Sequence, residues 1–355
     1  MARAIVDVTG PAEVELPCSD LTPTLEFFIG ELGFRVETIF PAEAPTVASL
    51  SGHGLRLRLA PGNGAPGRIR LACSGESAGR VLTAPNGTCI ELVAADPPLA
   101  IPPLESAFTI SHPGPAPRMD AGRAGMLYRD LIPGRQGGRF IASHIAIPAG
   151  GPVSDWVHFH KIRFQLIFCR RGWVRVAYED QGEPIVLAAG DCVLQPPRIR
   201  HRVLEASPGL EVVEVGCPAL HETLADHALS LPTGRNLPAR DFGGQVFRHQ
   251  VAAKTPWQAL GDTGFEVRES GLKDATRGIA DVRVIRPAGA SGVEFGPHHG
   301  ELLFGFVLEG AARLGHAGSH RLGAASAFAI PGGTGWRLDE CLPGFELLLV
   351  VAPAA

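Results

Sequence analysis

The sequence predicts a mostly β protein: two related domains of short strands, each a sandwich or barrel, preceded by a small α+β domain of order βαβββ. Three observations carry this expectation. The 355 residues include 44 Gly and 31 Pro spread along the chain, which punctuate short strands rather than long helices. Between residues 138 and 218, short apolar-alternating segments follow one another with turn residues between them and no helical periodicity. The same grammar returns after residue 280 with matching landmarks, so the chain carries an internal duplication of weak identity.

Composition bounds the function. A chain of 355 residues is too long for one ordinary core, so two or three domains are expected. With 45% hydrophobic and 19% charged residues it is globular. The net charge of −4 and the lack of a basic run argue against a nucleic-acid groove or an electrostatic membrane anchor. No uncharged apolar run approaches the roughly 20 residues that span a bilayer, and the opening Met-Ala-Arg-Ala-Ile-Val-Asp lacks the apolar core of a signal peptide. Seven scattered cysteines (18, 73, 89, 169, 192, 217 and 341), odd in number and without a CxxC, fit reduced, buried thiols in a cytoplasmic protein. Cys169 and Cys192 fall near the candidate site described below, where burial as small apolar residues is the expected role.

Residues 1–97 open with a strand, Val14 to Cys18. Ser19-Asp20 before Leu21-Thr22-Pro23 then reads as a helix start, with a polar cap and a proline in the first turn. Leu25, Phe28, Ile29 and Leu32 share one face, and Gly33 ends the helix. Strand-like alternation follows in Phe34–Phe40, Thr46–Leu50 and Leu55–Leu59, which completes βαβββ.

The phrases Cys18-Ser-Asp-Leu-Thr-Pro-Thr-Leu-Glu-Phe-Phe-Ile-Gly-Glu-Leu-Gly-Phe and Ala84-Pro-Asn-Gly-Thr-Cys-Ile-Glu-Leu-Val resemble the glyoxalase/vicinal-oxygen-chelate superfamily. That resemblance implies two βαβββ modules. The second is truncated, with Arg68–Cys73 as its first strand, Thr88–Val93 as its last and little room for a helix. The superfamily's metal positions fall near Glu13, Arg56 or Arg58, Arg68 and Glu91. A guanidinium stays charged and cannot ligate a cation, so no metal is expected here; an internal salt-bridge cluster, or an organic-anion site using the same arginines, are the two readings.

Residues 98–130 continue a Pro-rich run that starts at Asp96-Pro-Pro-Leu-Ala-Ile-Pro-Pro-Leu and goes on through His112-Pro-Gly-Pro-Ala-Pro, which reads as an extended linker or arm lying over other domains and not as a packed element. Residues 131–230 then carry strand after strand: Phe140–Ile147, Val157–His160, Phe164–Cys169, Trp173–Tyr178, Pro184–Leu187, Asp191–Gln195, Arg200–Glu205 and Leu210–Cys217. Eight short strands without a helix argue for a sandwich or barrel. Residues 231–355 hold the second copy: Val282–Arg286, Glu301–Leu308, Ala311–Leu314, Ala327–Ile330 and Glu346–Val351. There Val307-Leu-Glu-Gly parallels Phe168-Cys-Arg-Arg-Gly, and Phe328-Ala-Ile-Pro-Gly-Gly parallels Val193-Leu-Gln-Pro-Pro-Arg.

The chemistry concentrates in the first copy. His158 and His160 stand two apart, so on a strand they face the same side. Gln165 follows His160 after four residues, Gly172 follows Gln165 after six, and Gly190, Pro196 and His201 complete a second group on other strands. Three imidazoles and an amide oxygen so arranged can close around one divalent metal ion. These two groups are similar to the two motifs of the cupin family, so the C-terminal two thirds resembles a bicupin, a pair of double-stranded β-helix barrels. The resemblance implies metal ligation by His158, His160 and His201. Gln165 takes the place of the usual glutamate. It either offers its carbonyl oxygen as a neutral fourth ligand or hydrogen-bonds a bound water or substrate.

Around this centre Arg163, Trp173, Tyr178 and Gln195 are candidates for substrate contact, with Arg175 also placed to face the interior. Arg163 suits a substrate carboxylate, with a charge on a solvated hairpin as its other reading. His221-Glu-Thr-Leu-Ala-Asp-His227 is a further His/acid cluster that reads as a solvated helix turn. The second copy is eroded, with Leu303 in the glutamate position and Trp336 in that of His201, and an indole does not ligate metals. It is expected to be chiefly structural and to offer a homodimer interface, with His298, His299 and Glu301 forming part of a polar pocket or a weak surface site.

The expected function is a metal-dependent enzyme acting on a small molecule in the first barrel. Resemblance to other cupins favours a dioxygenase with Fe2+, acting on an aromatic or carbonyl-containing compound. Zinc, nickel or manganese would instead support isomerase or lyase chemistry, and a non-enzymatic ligand-binding or sensor protein is the third class.

Overall fold

In the computed structural model, which describes residues 9–114 and 119–353, the chain divides into two compact units, 1–98 and 99–355. The expectations for the first seven residues and for part of the Pro-rich stretch at 112–117 lie outside the described residues. Among the described residues, no helix is long and apolar enough to cross a membrane.

In the first unit the order is βαβββ: Val14–Pro17, helix Leu21–Gly30, then Arg35–Phe40, Val47–Gly52 and Leu55–Ala60. The first strand lies parallel to the last, and the four form one sheet with Val47–Gly52 and then Arg35–Phe40 outward from Leu55–Ala60. The helix buries Leu21, Thr24 and Phe28, whereas Ile29, expected on the apolar face, is 42% exposed. Asp20 precedes the helix without a side-chain cap; its carbonyl instead accepts from the Thr24 hydroxyl at 2.8 Å. The truncated half is a three-stranded sheet of Arg68–Cys73, Val81–Thr83 and Cys89–Ala94, with one 3-10 turn, Gly75–Ser77, where a helix would stand. Arg56–Glu13 and Arg58–Glu15 in the first half, and Arg70–Glu91 in the truncated half, form separate, partly solvated pairs at 3.2–3.5 Å. That corrects the internal cluster. The paired side chains are partly exposed, so each pair adds little stability.

The second unit holds two barrels of the same construction. In the first, Cys192–Gln195, Phe164–Arg171, Leu210–Cys217 and Ile141–Ile147 lie side by side in one antiparallel sheet, opposed by a second sheet that contains His158–His160, His201–Ala206 and Trp173–Tyr178. In the second barrel the corresponding order is Ala327–Ile330, Leu302–Glu309, Glu346–Ala352 and Asp281–Pro287. Both copies break register at the same point, between Cys169 and Arg171 and between Val307 and Glu309, and both then turn at a left-handed glycine, Gly172 (φ +72) and Gly310 (φ +74). Only glycine adopts that conformation freely, so the shared turn is a second sign of duplication.

Alternation along the strands decides what each face does. Phe164, Leu166 and Phe168 with Val213, Val215 and Cys217 form one buried cluster with Phe304, Phe306, Val350 and Ala352 of the second barrel. The two large sheets thus share one apolar core between the barrels. The opposite faces, carrying Gln165, Ile167, Val212 and Glu214 in one barrel and Leu303, Leu347 and Leu349 in the other, turn into the barrel interiors.

Two expectations about segment boundaries give way. The Pro-rich arm is not free of secondary structure: Thr109–Ser111 adds a strand to the second barrel beside Ala327–Ala329, and Leu127–Asp130 adds one to the first beside Ser143–Ala146. Residues 231–250, placed with the second copy by sequence, serve the first barrel. Arg248–Gln250 pairs with Cys192–Leu194, and Phe242 and Phe247 join the first barrel's core. Each barrel therefore has an edge strand closed by a connecting segment, which removes an exposed strand edge.

Candidate metal centre

His158 and His160 project to the same side of the short strand His158–His160, and His158 lies directly opposite His201 on the neighbouring strand. All three side chains are buried, and their candidate ligand atoms lie within 4.8 Å of one another. The outer nitrogens are fixed by oxygen partners. Nδ1 of His158 lies 2.8 Å from the Trp156 carbonyl oxygen, that of His160 3.3 Å from the Glu222 carbonyl, and that of His201 3.1 Å from the Ile199 carbonyl. A carbonyl oxygen only accepts, so each Nδ1 carries the proton and each Nε2 keeps its lone pair. Arg123 confirms the tautomer of His158: its Nη2 lies 2.8 Å from His158 Nε2, and a guanidinium only donates.

The electrostatics point the same way. Burial, with the neighbouring imidazoles, holds His201 well below the usual imidazole range and pushes His160 down to about 3; burial also lowers His158. All three rings are therefore neutral at pH 7, which is the form that binds a metal. Three oriented, uncharged imidazoles converge here and fit a divalent ion, which would take the place of Arg123 Nη2 at His158 Nε2.

The triad opens on a cavity of about 250 Å³. Its wall is mainly apolar, including Ile145, Ile167, Val176, Leu187 and Val212, with a few polar groups gathered near the triad. Of the residues expected from sequence, Gln165, Tyr178 and Gln195 line this cavity. Gln165 Nε2 donates to Glu214 Oε1, and Gln195 Nε2 donates to the Tyr178 hydroxyl at 2.9 Å.

Arg163 and Trp173 do not line it, which corrects their expected role. Arg163 follows the ligand strand into the inter-barrel contact, where its Nη1 donates to Glu301 Oε2 at 2.8 Å beside Arg139. Trp173 starts a strand beyond the Gly172 turn, and Arg175 on that strand pairs with Glu205 at 3.2 Å on the surface. Cys169 and Cys192 are buried outside the cavity, and burial raises the Cys169 thiol to about 12.

The cavity also gathers polar residues that the sequence did not place there, among them Arg123, Tyr128, His221 and Glu214. Arg123, ion-paired with the buried Asp155 and stacked 5.5 Å over Trp156, comes from the arm, where no pattern marked it. Tyr128 follows it on the added strand Leu127–Asp130. His221 stands with its ring centroid 5.1 Å from that of His160, because Thr223–Ala225 forms a strand beside His158–His160 and not the solvated helix turn expected. Glu214 did carry a signal: Glu211 and Glu214 are three apart on one strand, so one of the two must point inward.

The polar pocket expected around His298, His299 and Glu301 does not form, since Glu301 is taken by Arg139 and Arg163 and His298 Nε2 lies 2.9 Å from the Ile330 carbonyl oxygen. In the second barrel the positions of His158 and His201 are held by Phe295 and Trp336, which are likewise directly paired in register. Their rings stack at 4.1 Å and 12° and close the interior with side chains.

No protein-family model matches the chain, and no curated protein matches it in sequence. Solved structures do. The protein YlbA from E. coli, of the DUF861 family, is similar with a TM-score of 0.52 at 9% identity, over 70% of this chain and 91% of that one. A putative glyoxylate-induced protein from Pseudomonas aeruginosa is similar with a TM-score of 0.51 at 12% identity, over 72% of this chain and 92% of that one. At such identities the likeness is one of fold alone, and the fold it shows is that of the cupin proteins.

Proposed function

We propose that the first barrel is a mononuclear metal centre and that the protein is a metal-dependent enzyme for a small organic molecule held in the adjoining cavity. The observation that carries this reading is the convergence of three buried, neutral imidazoles, each oriented by its own carbonyl oxygen. His158, His160 and His201 would hold the ion, with Gln165 beside them. A divalent metal bound there would supply a Lewis acid with positions left for substrate oxygens and, if it is iron, access to dioxygen chemistry.

The rest follows from the chain's own groups. The apolar wall keeps bulk water from the reacting molecule and strengthens electrostatic contacts inside the barrel. Arg123 places a positive charge at the triad, held by Asp155. Tyr178 and Gln195, bonded to each other, fix a polar edge on which substrate oxygens can be oriented. This combination suits an aromatic or dicarbonyl compound that carries two oxygens, and oxygenative cleavage is the reaction we assign to it.

Oxygen uptake by the iron-reconstituted protein, measured with a panel of hydroxylated aromatic and dicarbonyl compounds, tests the assignment. Uptake with at least one compound, lost in His201→Ala, is expected. Metal-dependent product formation in the absence of dioxygen would replace the oxygenase reading with isomerase or lyase chemistry.

A further inference from the structure

Gln165 brings no charge to the metal centre, yet a carboxylate stands directly behind it. Its Nε2 donates to Oε1 of Glu214 on the adjacent strand Leu210–Cys217. The register explains the reach. Gln165 lies opposite Gly216 and Ile167 opposite Glu214, so the two long side chains are diagonal neighbours on the cavity face. Gly216 puts no side chain between them, and a Cβ there would come within 3.1 Å of Ile162. Gln165 is buried, Glu214 half-buried, and both line the cavity that contains the three imidazoles.

The two ends of a glutamine amide have nearly the same shape and opposite chemistry. A carboxylate accepts only, so Glu214 takes the NH2 end and leaves the carbonyl oxygen for the cavity. The second barrel shows the two positions changing together. By register Leu303 stands where Gln165 does, and Leu349 where Glu214 does. Each is an apolar residue in the packed interior that lacks the imidazoles. Loss of one partner alone would leave a polar group unpaired against that core.

We propose that Glu214 is a positioning residue of the metal centre: it holds the Gln165 amide with its carbonyl oxygen toward the three histidines and so makes a glutamine serve as the fourth ligand. The proposal rests on the reading of the first barrel as a metal site. It assigns Glu214 no contact with the ion.

Zinc affinity of the metal-free protein, titrated against a chromophoric chelator, is the test, with thermal unfolding of each metal-free variant as the check on folding. Glu214→Gln removes the obligate acceptor while keeping size, and its affinity should fall about 10- to 100-fold. Loss of a nearby charge alone could also weaken binding, so the substitution is repeated in a Gln165→Leu background, where it should change affinity less than about threefold. The exchange variant Gln165→Glu/Glu214→Gln returns a carboxylate to the ligand position with an amide donor behind it, and should bind zinc at least as tightly as the unaltered protein. Unchanged affinity in Glu214→Gln, or an equal loss with and without Gln165, overturns the positioning role. An unaltered protein that binds no zinc overturns the metal reading itself, and this proposal with it.

Discussion

The two barrels share strand order, a register break and a turn glycine, yet one keeps an opening where the other is filled. In the first, His158 pairs with His201 and the ring centroids lie 4.2 Å apart, beside a cavity of about 250 Å³. In the second, Phe295 pairs with Trp336 at nearly the same separation, 4.1 Å, and the rings join an apolar core. The barrel itself is therefore indifferent to which aromatic rings meet at this point. Imidazole nitrogens aimed inward, with Arg123 Nη2 against His158 Nε2, separate a polar site from a core. The second barrel adds stability through packing; the first gives up part of that packing to hold polar groups away from water.

That contrast can be broken or sharpened by substitution. The largest effect belongs to the triad: His158→Ala, His160→Ala or His201→Ala should each abolish stoichiometric metal binding, read by elemental analysis, while far-UV circular dichroism stays unchanged. Acid should act next, and on the first barrel. Its three imidazoles have folded-state pKa values below the free value of 6.5, His160 at about 3, so the unfolded chain binds more protons across that window. Stability of the metal-free protein from these groups is present above about pH 6.5 and is lost as pH falls toward 3, measurable by urea unfolding at stepped pH. His201→Ala should flatten that dependence, and a pH profile unchanged by it would contradict the burial argument.

Trp336→Ala should lower stability by about 3–5 kcal/mol through the cavity it leaves, with metal content untouched. Denaturant unfolding and elemental analysis on one sample check both halves. Glu301→Leu strands the guanidinium groups of Arg139 and Arg163 between the barrels and should cost about 3 kcal/mol. The smallest change is expected for Arg175→Ala, whose pair with Glu205 is solvated and contributes less than about 1 kcal/mol.

The sequence made the barrels legible because period-2 alternation and turn residues encode a half-buried strand locally. The triad was legible for the same reason: two of its members share one short strand, and the spacing to His201 follows from the turn at Gly190. What escaped was delivered by chain segments with no local signature. Arg123 reaches the site from a Pro-rich arm that pattern alone marks as extended, and residues 231–250 return to the first barrel although they precede the second in sequence. Arg163 failed in the opposite direction. It sits three residues beyond the ligand strand, but the contact that fixes it, Glu301, is far away in the chain and visible only once the barrels are packed. Glu214 lies between these cases, an inward charge that strand parity could have flagged but whose partner Gln165 depends on cross-strand register.

The central claim is that the first barrel alone, by virtue of His158, His160 and His201, holds a metal. Elemental analysis of the purified protein beside His158→Ala/His160→Ala tests it most directly. The account predicts about one divalent ion per chain in the unaltered protein and none in the variant. Equal metal in the two proteins would contradict it.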